Sequence, residues 1–595
     1  MAEAHIDPAV MRLSSPAGLR AEINANGSVR RFDCGALTLS LFLGNELEGG
    51  PANLYLRRRS AAAEWTALLG PTSPTRFAAS AAGDRLTGTG EWLGIEYSIA
   101  LVLARDAPAW FWHVRLRNMS SAPQELDLTL AQDIALAQYW AVRLNEYYVS
   151  QYIDHTPLSD AVHGHLIASR QNLAVDGRHP WCLIGSLRSG VSFATDALQF
   201  YGLAARSGQA PAAMTGELPG RRLQHEHSLV AVRDAPLRIE PESHAAAGFF
   251  GLHVADHPEA TSAADLKRLN DIRSLPEAAM EIEQGARAHA PAGTAKRVNP
   301  APPEAATLFS IRPILDVLDL EPGSLHDAFP PPWRHEERDE RGALLSFFHG
   351  DDRHVVLRAK ELRVLRPHGQ LLRTGRRLVP DESALTSTMW MSGVFHSMVT
   401  QGHVSINRLL STVHGYIGLF RSQGQRVFVG SEGAWQLLDV PSAFEMSPAG
   451  GRWIYRHAGG VIEVRSEAHG EPQRLTLAIE VRSGAPARFL ISNHLALDGD
   501  DGSGPSHPRW QQEGEGVSAA PSPGTELGRR FPAGRFLLTP LPGTRWEQVG
   551  GDEVLFADGR SRGQPYVCIL TGPTRLAGVE IRGDLVSETP DVRES

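Results

Sequence analysis

Four of the chain's ten tyrosines, Tyr139, Tyr147, Tyr148 and Tyr152, fall in one short window, interleaved with Glu146, Gln151 and Asp154. Flat rings beside carboxylates and amides suit a ligand rich in hydroxyls. Its apolar C–H face lies over a ring while the polar groups take the hydroxyls. Read as a strand, NEYYVSQYIDH (Asn145 to His155) puts Glu146, Tyr148, Ser150, Tyr152 and Asp154 on one face. Tyr147, Val149, Gln151 and Ile153 then occupy the other. The same tyrosines would equally fill a packed sandwich with their hydroxyls satisfied locally. A second crowd lies in ASRQNLAVDGRHPWCLIGS (Ala168 to Ser186), where Arg170, Gln171, Asn172, Arg178, His179 and Trp181 surround a turn. It reads as a pocket rim or as a capped loop anchored by Trp181. The candidate substrate-binding residues are therefore Tyr148, Gln151, Tyr152, Asp154, Arg178 and Trp181. No catalytic residue can be assigned: carboxylates are plentiful, but no spacing singles out an acid with its partner.

The remaining clusters point to loops and surface. HGDDRH (His349 to His354) and QHEH (Gln224 to His227) are too short for a full metal site. DGDDG (Asp498 to Gly502) begins like a calcium loop, but Arg509 stands where that loop needs a bidentate Glu. WRHEERDER (Trp333 to Arg341) reads as a charged surface. Phosphate loops, dinucleotide fingerprints, nucleophile elbows and zinc-helix motifs are absent. No metal or cofactor is expected. The net charge of −9, with acids and bases mixed along the chain, excludes a nucleic-acid partner because no basic arm exists to neutralise phosphates. Three widely spaced cysteines argue against a disulfide framework or a zinc site. MAEAHIDPAVMRL lacks the pattern of a signal peptide. No apolar run approaches the roughly 20 residues that span a bilayer. A cytoplasmic protein without membrane partners is the expectation.

The elements that would position these residues are mostly strands. At 595 residues the chain is long enough for two to four domains. Short runs of Val, Ile, Leu and aromatics alternate with polar residues and are cut by Gly, Pro, Asn and Ser. Gly94 to Leu136 reads as an antiparallel meander of three strands, turning at Asp106–Pro108 and at Asn118–Pro123. A sheet with one buried face needs a second sheet over it, which points to a sandwich. Near residue 258 the period changes. Ser262 with Asp265 has capping-box spacing, and Leu266, Leu269, Ile272 and Leu275 follow at helical spacing. Ala286 to Ala306 reads as an Ala- and Pro-rich linker, Leu308 to Leu320 as a short helix, and FPPPWRHEERDERG as a polar connection. Strand signals return at Ala343 and run to Val586, with a hairpin around Ser431-Glu432-Gly433 and a flexible insertion from Gly499 to Gly524. The expected domains are 1–260, a β-sandwich; 261–342, a helical and Pro-rich linker; and 343–595, a second β-sandwich. The order of Gly94, Glu96, Pro108 and Arg117 recurs as Gly460, Glu463, Pro472 and Arg482, which suggests two copies of one plan.

Several long motifs carry a resemblance. LRNMSSAPQELDLTLAQDIAL followed by LIGSLRSGVSFATDALQFYGL (Leu183 to Leu203) resembles the N-terminal β-sandwich, or supersandwich, of the inverting glycoside phosphorylases, glycoside hydrolase family 94. Cellobiose phosphorylase and the phosphorylase-like part of cyclic β-1,2-glucan synthases belong to that group. FLGNELEGGPANLYLRR, RLNEYYVSQYIDHTPL, TSTMWMSGVFHSMVTQGHVSINRLLS and FLISNHL look like long bacterial members. The resemblance implies two mainly β supersandwich domains and β-glucoside or β-glucan oligosaccharide partners. It also implies catalysis in a separate (α/α)6 barrel that supplies a general-acid Asp and a phosphate pocket. No stretch here has the periodicity of such a barrel, so no catalytic residue is carried over and phosphate is a partner only if a barrel is supplied. The chain is then a non-catalytic binding and support region. It could be a piece of a longer enzyme or a stand-alone glycan-binding or dimerisation module, with a homodimer or a companion barrel chain as partner. A lyase or hydrolase using a cleft in the sandwich is a remote alternative.

Overall fold

The computed structural model describes residues 10–60, 64–223, 227–280, 306–310, 314–375, 382–404, 406–413, 418, 420–431, 434–497 and 509–585. They form two compact units. The first comprises Met1–Ala205 with Gln209–Ser310, the second Arg206–Gly208 with Ile311–Ser595. Each is a pair of almost wholly antiparallel sheets, the mainly β architecture expected from the alternating pattern. Among the described residues the longest helix is the thirteen-residue Tyr139–Gln151, so none of them builds a helical barrel.

In the first unit a five-stranded sheet packs on a fourteen-stranded one. Their facing side chains fuse into one core, with Leu19, Ile23 and Phe32 of the small sheet against Trp110, Trp112 and Leu101 of the large. Phe32 meets Trp110 edge-on at 5.0 Å, a favoured aromatic geometry. The other face of the large sheet is covered by Ala263–Arg273. Its start carries the expected capping box of Ser262 and Asp265, and it buries Leu269 and Ile272 against Phe111, Leu183 and Phe250. In the second unit an eight-stranded sheet packs on an eleven-stranded one, and Phe395 meets Trp453 at 5.0 Å across the interface of the sheets.

Several local expectations are corrected. Strands Ile95–Leu103 and Ala109–Asn118 pair as read, but the third strand, Gln124–Asp133, lies elsewhere in the sheet. Ala109–Asn118 takes His244–Val254 as its other neighbour, and Gln124–Asp133 sits between Ala52–Arg58 and Ser228–Asp234. Leu308 to Leu320 holds no helix among its described residues; Ile314 and Leu318 instead bridge to Leu437 and Arg456, and a helix follows at Pro322–Ala328. The polar connection contains a strand, Trp333–Arg338, at one end of the eleven-stranded sheet, with its charged side chains in solvent. The insertion read as flexible ends in a hairpin of Arg509–Glu513 with Gly516–Ala520 at the sheet's other end. Its first part, 499–508, lies outside the described residues, as does linker segment 281–305. Strands Gln425–Ser431 and Ala434–Leu437 form the expected hairpin.

Candidate functional site

The tyrosine window is the main correction. It is a helix, Tyr139–Gln151, followed by a strand that starts only at Ile153. Val142, Glu146 and Val149, at helical spacing, form the buried stripe, with Val142 and Val149 packed on Leu41, Ala135 and Ala137. Asn145 leaves the helical conformation (φ −163°, ψ 85°), and its side-chain oxygen accepts the Tyr148 N–H at 3.1 Å. Asn145 thus caps a second helical segment after a kink. At the far end, Gln171 Nε2 donates to the carbonyl oxygens of Val149 (3.3 Å) and Ala135 (3.2 Å). That amide satisfies one of the terminal carbonyls a helix leaves open.

The consequence is an outward-facing ridge. Trp140, Leu144, Tyr148 and Tyr152 recur at every fourth residue and are 62%, 71%, 47% and 37% exposed. A helix on a sandwich normally turns polar residues outward, so large apolar side chains exposed on both sides of the Asn145 kink depart from that pattern. The Tyr148 and Tyr152 rings stand 4.9 Å apart, tilted by 58°. A hydrogen bond with the Tyr152 hydroxyl raises the Tyr148 phenol pKa. Gln151 is exposed beside them, and Asp154 pairs with Arg222 just past the helix. Four expected residues, Tyr148, Gln151, Tyr152 and Asp154, are therefore neighbours, and they offer two ring faces, an amide and an ion pair.

Arg178 follows a tight turn in which Asp176 (φ 51°) and Gly177 (φ 75°) are both left-handed, the geometry of a two-residue hairpin loop. Gln138 Nε2 donates to Asp176 Oδ2 at 2.9 Å, which ties this turn to the start of the helix, and Arg178 is exposed. Trp181 is a correction. It is fully buried, stacks on His257 at 5.1 Å, and donates its indole N–H to Thr261 Oγ1 at 3.0 Å. Its ring anchors the Ala263–Arg273 cover and presents no face to a ligand.

A buried polar cluster underlies the ridge at the ends of four strands. His155 contacts Ser169 Oγ (2.8 Å) through Nδ1 and Ser228 Oγ (2.9 Å) through Nε2. The Ser228 N–H is donated to Ser150 Oγ of the helix. Beside it, His227 pairs with Asp133. Burial alone pulls the His227 pKa down, but the Asp133 charge and hydrogen bond outweigh it and raise the value. Burial pushes the Asp133 carboxyl up as well. The cluster locks helix to sheet and holds the ridge in place. The sequence reading missed Trp140, Leu144 and Arg222. The spacing of four from Trp140 to Tyr152 carried the signal, hidden because Glu146 occupies the buried stripe. Among the described residues no group of three His, Cys, Asp or Glu could hold a metal ion. No described helix is long and apolar enough to cross a membrane.

Comparison with known proteins gives two domain-level matches. Residues 22–251 match the family described as the SOGP N-terminal domain, and residues 330–574 the glycoside phosphorylase supersandwich domain. A 1,2-beta-oligoglucan phosphorylase from Listeria innocua serovar 6a is 27% identical over 391 residues, which is 65% of this chain and 33% of that protein. The match thus spans one third of the relative's length. Among solved structures, a bacterial glucoamylase complexed with acarbose shares 9% identity over 44% of this chain and 34% of its own, with a TM-score of 0.27. A galactose mutarotase-like protein from Lactobacillus casei shares 9% identity over 41% of this chain and 100% of its own, with a TM-score of 0.24. Both scores are too low to carry an inference.

Proposed function

We propose, from the premise that this chain carries an SOGP N-terminal domain followed by a glycoside phosphorylase supersandwich domain, that it is the carbohydrate-binding and support region of a glycoside phosphorylase acting on β-linked oligoglucans. The observation that carries the reading is the order of these two matches along one chain. The 1,2-beta-oligoglucan phosphorylase makes β-1,2-linked glucans the first ligands to test. The ridge supports the same reading on physical grounds, because Tyr148 and Tyr152 offer stacking faces beside the Gln151 amide and the Asp154–Arg222 pair.

Phosphorolysis requires an acid, an inorganic-phosphate pocket and a substrate cleft, and the match to the 1,2-beta-oligoglucan phosphorylase spans only one third of that protein's length. We therefore assign the bond-breaking step to a further domain or companion chain. Two measurements test this. Calorimetric titration with β-1,2-linked and β-1,4-linked glucotriose should detect binding. Tyr148→Ala and Tyr152→Ala should each weaken it by about 1 kcal/mol, the order of one stacked ring. The purified 595-residue chain, given phosphate and either sugar, should release no sugar 1-phosphate. Turnover would overturn the support role, and binding that ignores both tyrosines would remove the ridge from it.

A further inference from the structure

A second concave surface lies on the outer face of the eleven-stranded sheet, within the second unit. Four adjacent strands build it: Gly460–Gly470, Gln473–Ser483, Leu576–Asp584 and Arg535–Pro540. Their register places Arg465, Ala478 and Gly578 in one row across the sheet, and Glu467, Thr476, Glu580 and Thr539 in the next. Thr476, Ala478 and Gly578 are small, so the floor is low. Leu541 rises at one side, so close that a Cβ on Gly578 would stand 2.4 Å from its Cδ1. Charged side chains rise at the other. The result is a trough of about 450 Å³, within the size range of small-ligand sites.

The polar groups are held in place before any ligand arrives. Glu580, 7% exposed, lies 3.4 Å from Arg474 Nε and accepts a 2.5 Å hydrogen bond from Arg582 Nε. His469 Nε2 is 3.1 Å from Thr476 Oγ1 and 3.6 Å from a Glu467 carboxylate oxygen. Two carboxylates balance two guanidiniums, so an anion or a cation gains little net attraction. A neutral polyol gains at both: its hydroxyls donate to Glu467 and Glu580 and accept from Arg474 and Arg582. Leu541, between Pro540 and Pro542, supplies an apolar wall for a C–H face.

We propose that this trough is a saccharide site for one or two hexopyranose units of a neutral oligosaccharide, separate from the tyrosine ridge. The proposal rests on the carbohydrate reading above. Plugging the floor tests it. Ala478→Phe fills the trough without removing a polar partner, and Glu467→Gln removes one half-exposed carboxylate. Both are prepared in the full chain, checked for folding by circular dichroism and titrated with β-1,2-linked glucotriose. At least one folded variant should lose tenfold or more in affinity at one site, while Tyr148→Ala retains that site. If both variants bind like the wild-type chain, the trough is not a sugar site. Loss confined to Tyr148→Ala would leave the ridge and sink the trough. Loss confined to the trough variants would do the reverse. A wild-type chain that binds no trisaccharide would overturn both.

Discussion

Three buried histidines make the stability of this protein sensitive to acid. His155, His253 and His396 are all pushed down to about 4 by burial. His155 and His396 use both ring nitrogens on neutral partners: serine hydroxyls for His155, and Ser387 Oγ with the Thr476 carbonyl for His396. The unfolded chain binds a proton at each below the ordinary histidine pKa, whereas the folded chain binds none until about 4. Stability is therefore complete above the ordinary value and falls as pH drops toward 4, by about 1.4 kcal/mol per pH unit for each histidine. Urea unfolding at about pH 7 and about pH 5 should show this loss. His155→Gln should lower the slope by its own share, about 1.4 kcal/mol per pH unit, and an unchanged slope would show that this ring is not one of its sources. His227 works in the opposite sense. Its raised pKa contributes stability in full below the ordinary histidine value and loses it as pH rises through the folded value.

The legibility of an element depended on whether its partners were local. The Ala263–Arg273 cover was readable because a capping box and leucines at helical spacing lie within one short stretch. The Tyr139–Gln151 helix was not, because a glutamate sits on its buried stripe and large apolar residues sit on its exposed one. Binary pattern then pointed the wrong way. Four of the six candidate binding residues nevertheless share one locality, Arg178 lies on a turn tied to the helix start, and only Trp181 is withdrawn into a core. Two element-level changes follow. Asn145→Ala removes the cap of the second helical segment and should cost about 1 kcal/mol, with hydrogen exchange rising first at Glu146–Gln151. Asp127→Ala should cost far more. That carboxylate is fully buried, 2.6 Å from Arg57 Nη2 and 3.8 Å from Arg233 Nε. Both guanidiniums also donate to the Gly216 carbonyl. Removing the acid leaves both cations with only the exposed Glu217 carboxylate as counter-ion, 3.1 Å from each, and should destabilise the first unit by about 3 kcal/mol in chemical unfolding.

At the scale of the whole molecule, composition and alternation were enough to fix the class, because a half-buried strand writes its period directly into the sequence. Which strand neighbours which was not written there: Ala109–Asn118 joins His244–Val254, far along the chain, and Gln473–Ser483 joins Leu576–Asp584. Such pairing carries a large loop-closure cost before any contact repays it. Refolding after dilution from denaturant should accordingly take on the order of seconds or longer. A complete millisecond recovery of native fluorescence would contradict this. Slow assembly of long sheets has a known hazard, and the eleven-stranded sheet meets it at its margins. Trp333–Arg338 carries Arg334, His335, Glu336, Glu337 and Arg338 into water at one border, and Arg509–Glu513 brings a charged residue at each end to the other. A stray polypeptide extending either border would have to strip hydration from those charges. The sheet thus terminates itself, and cross-β fibre growth is denied a template at both borders while the rest of the chain is still finding its place.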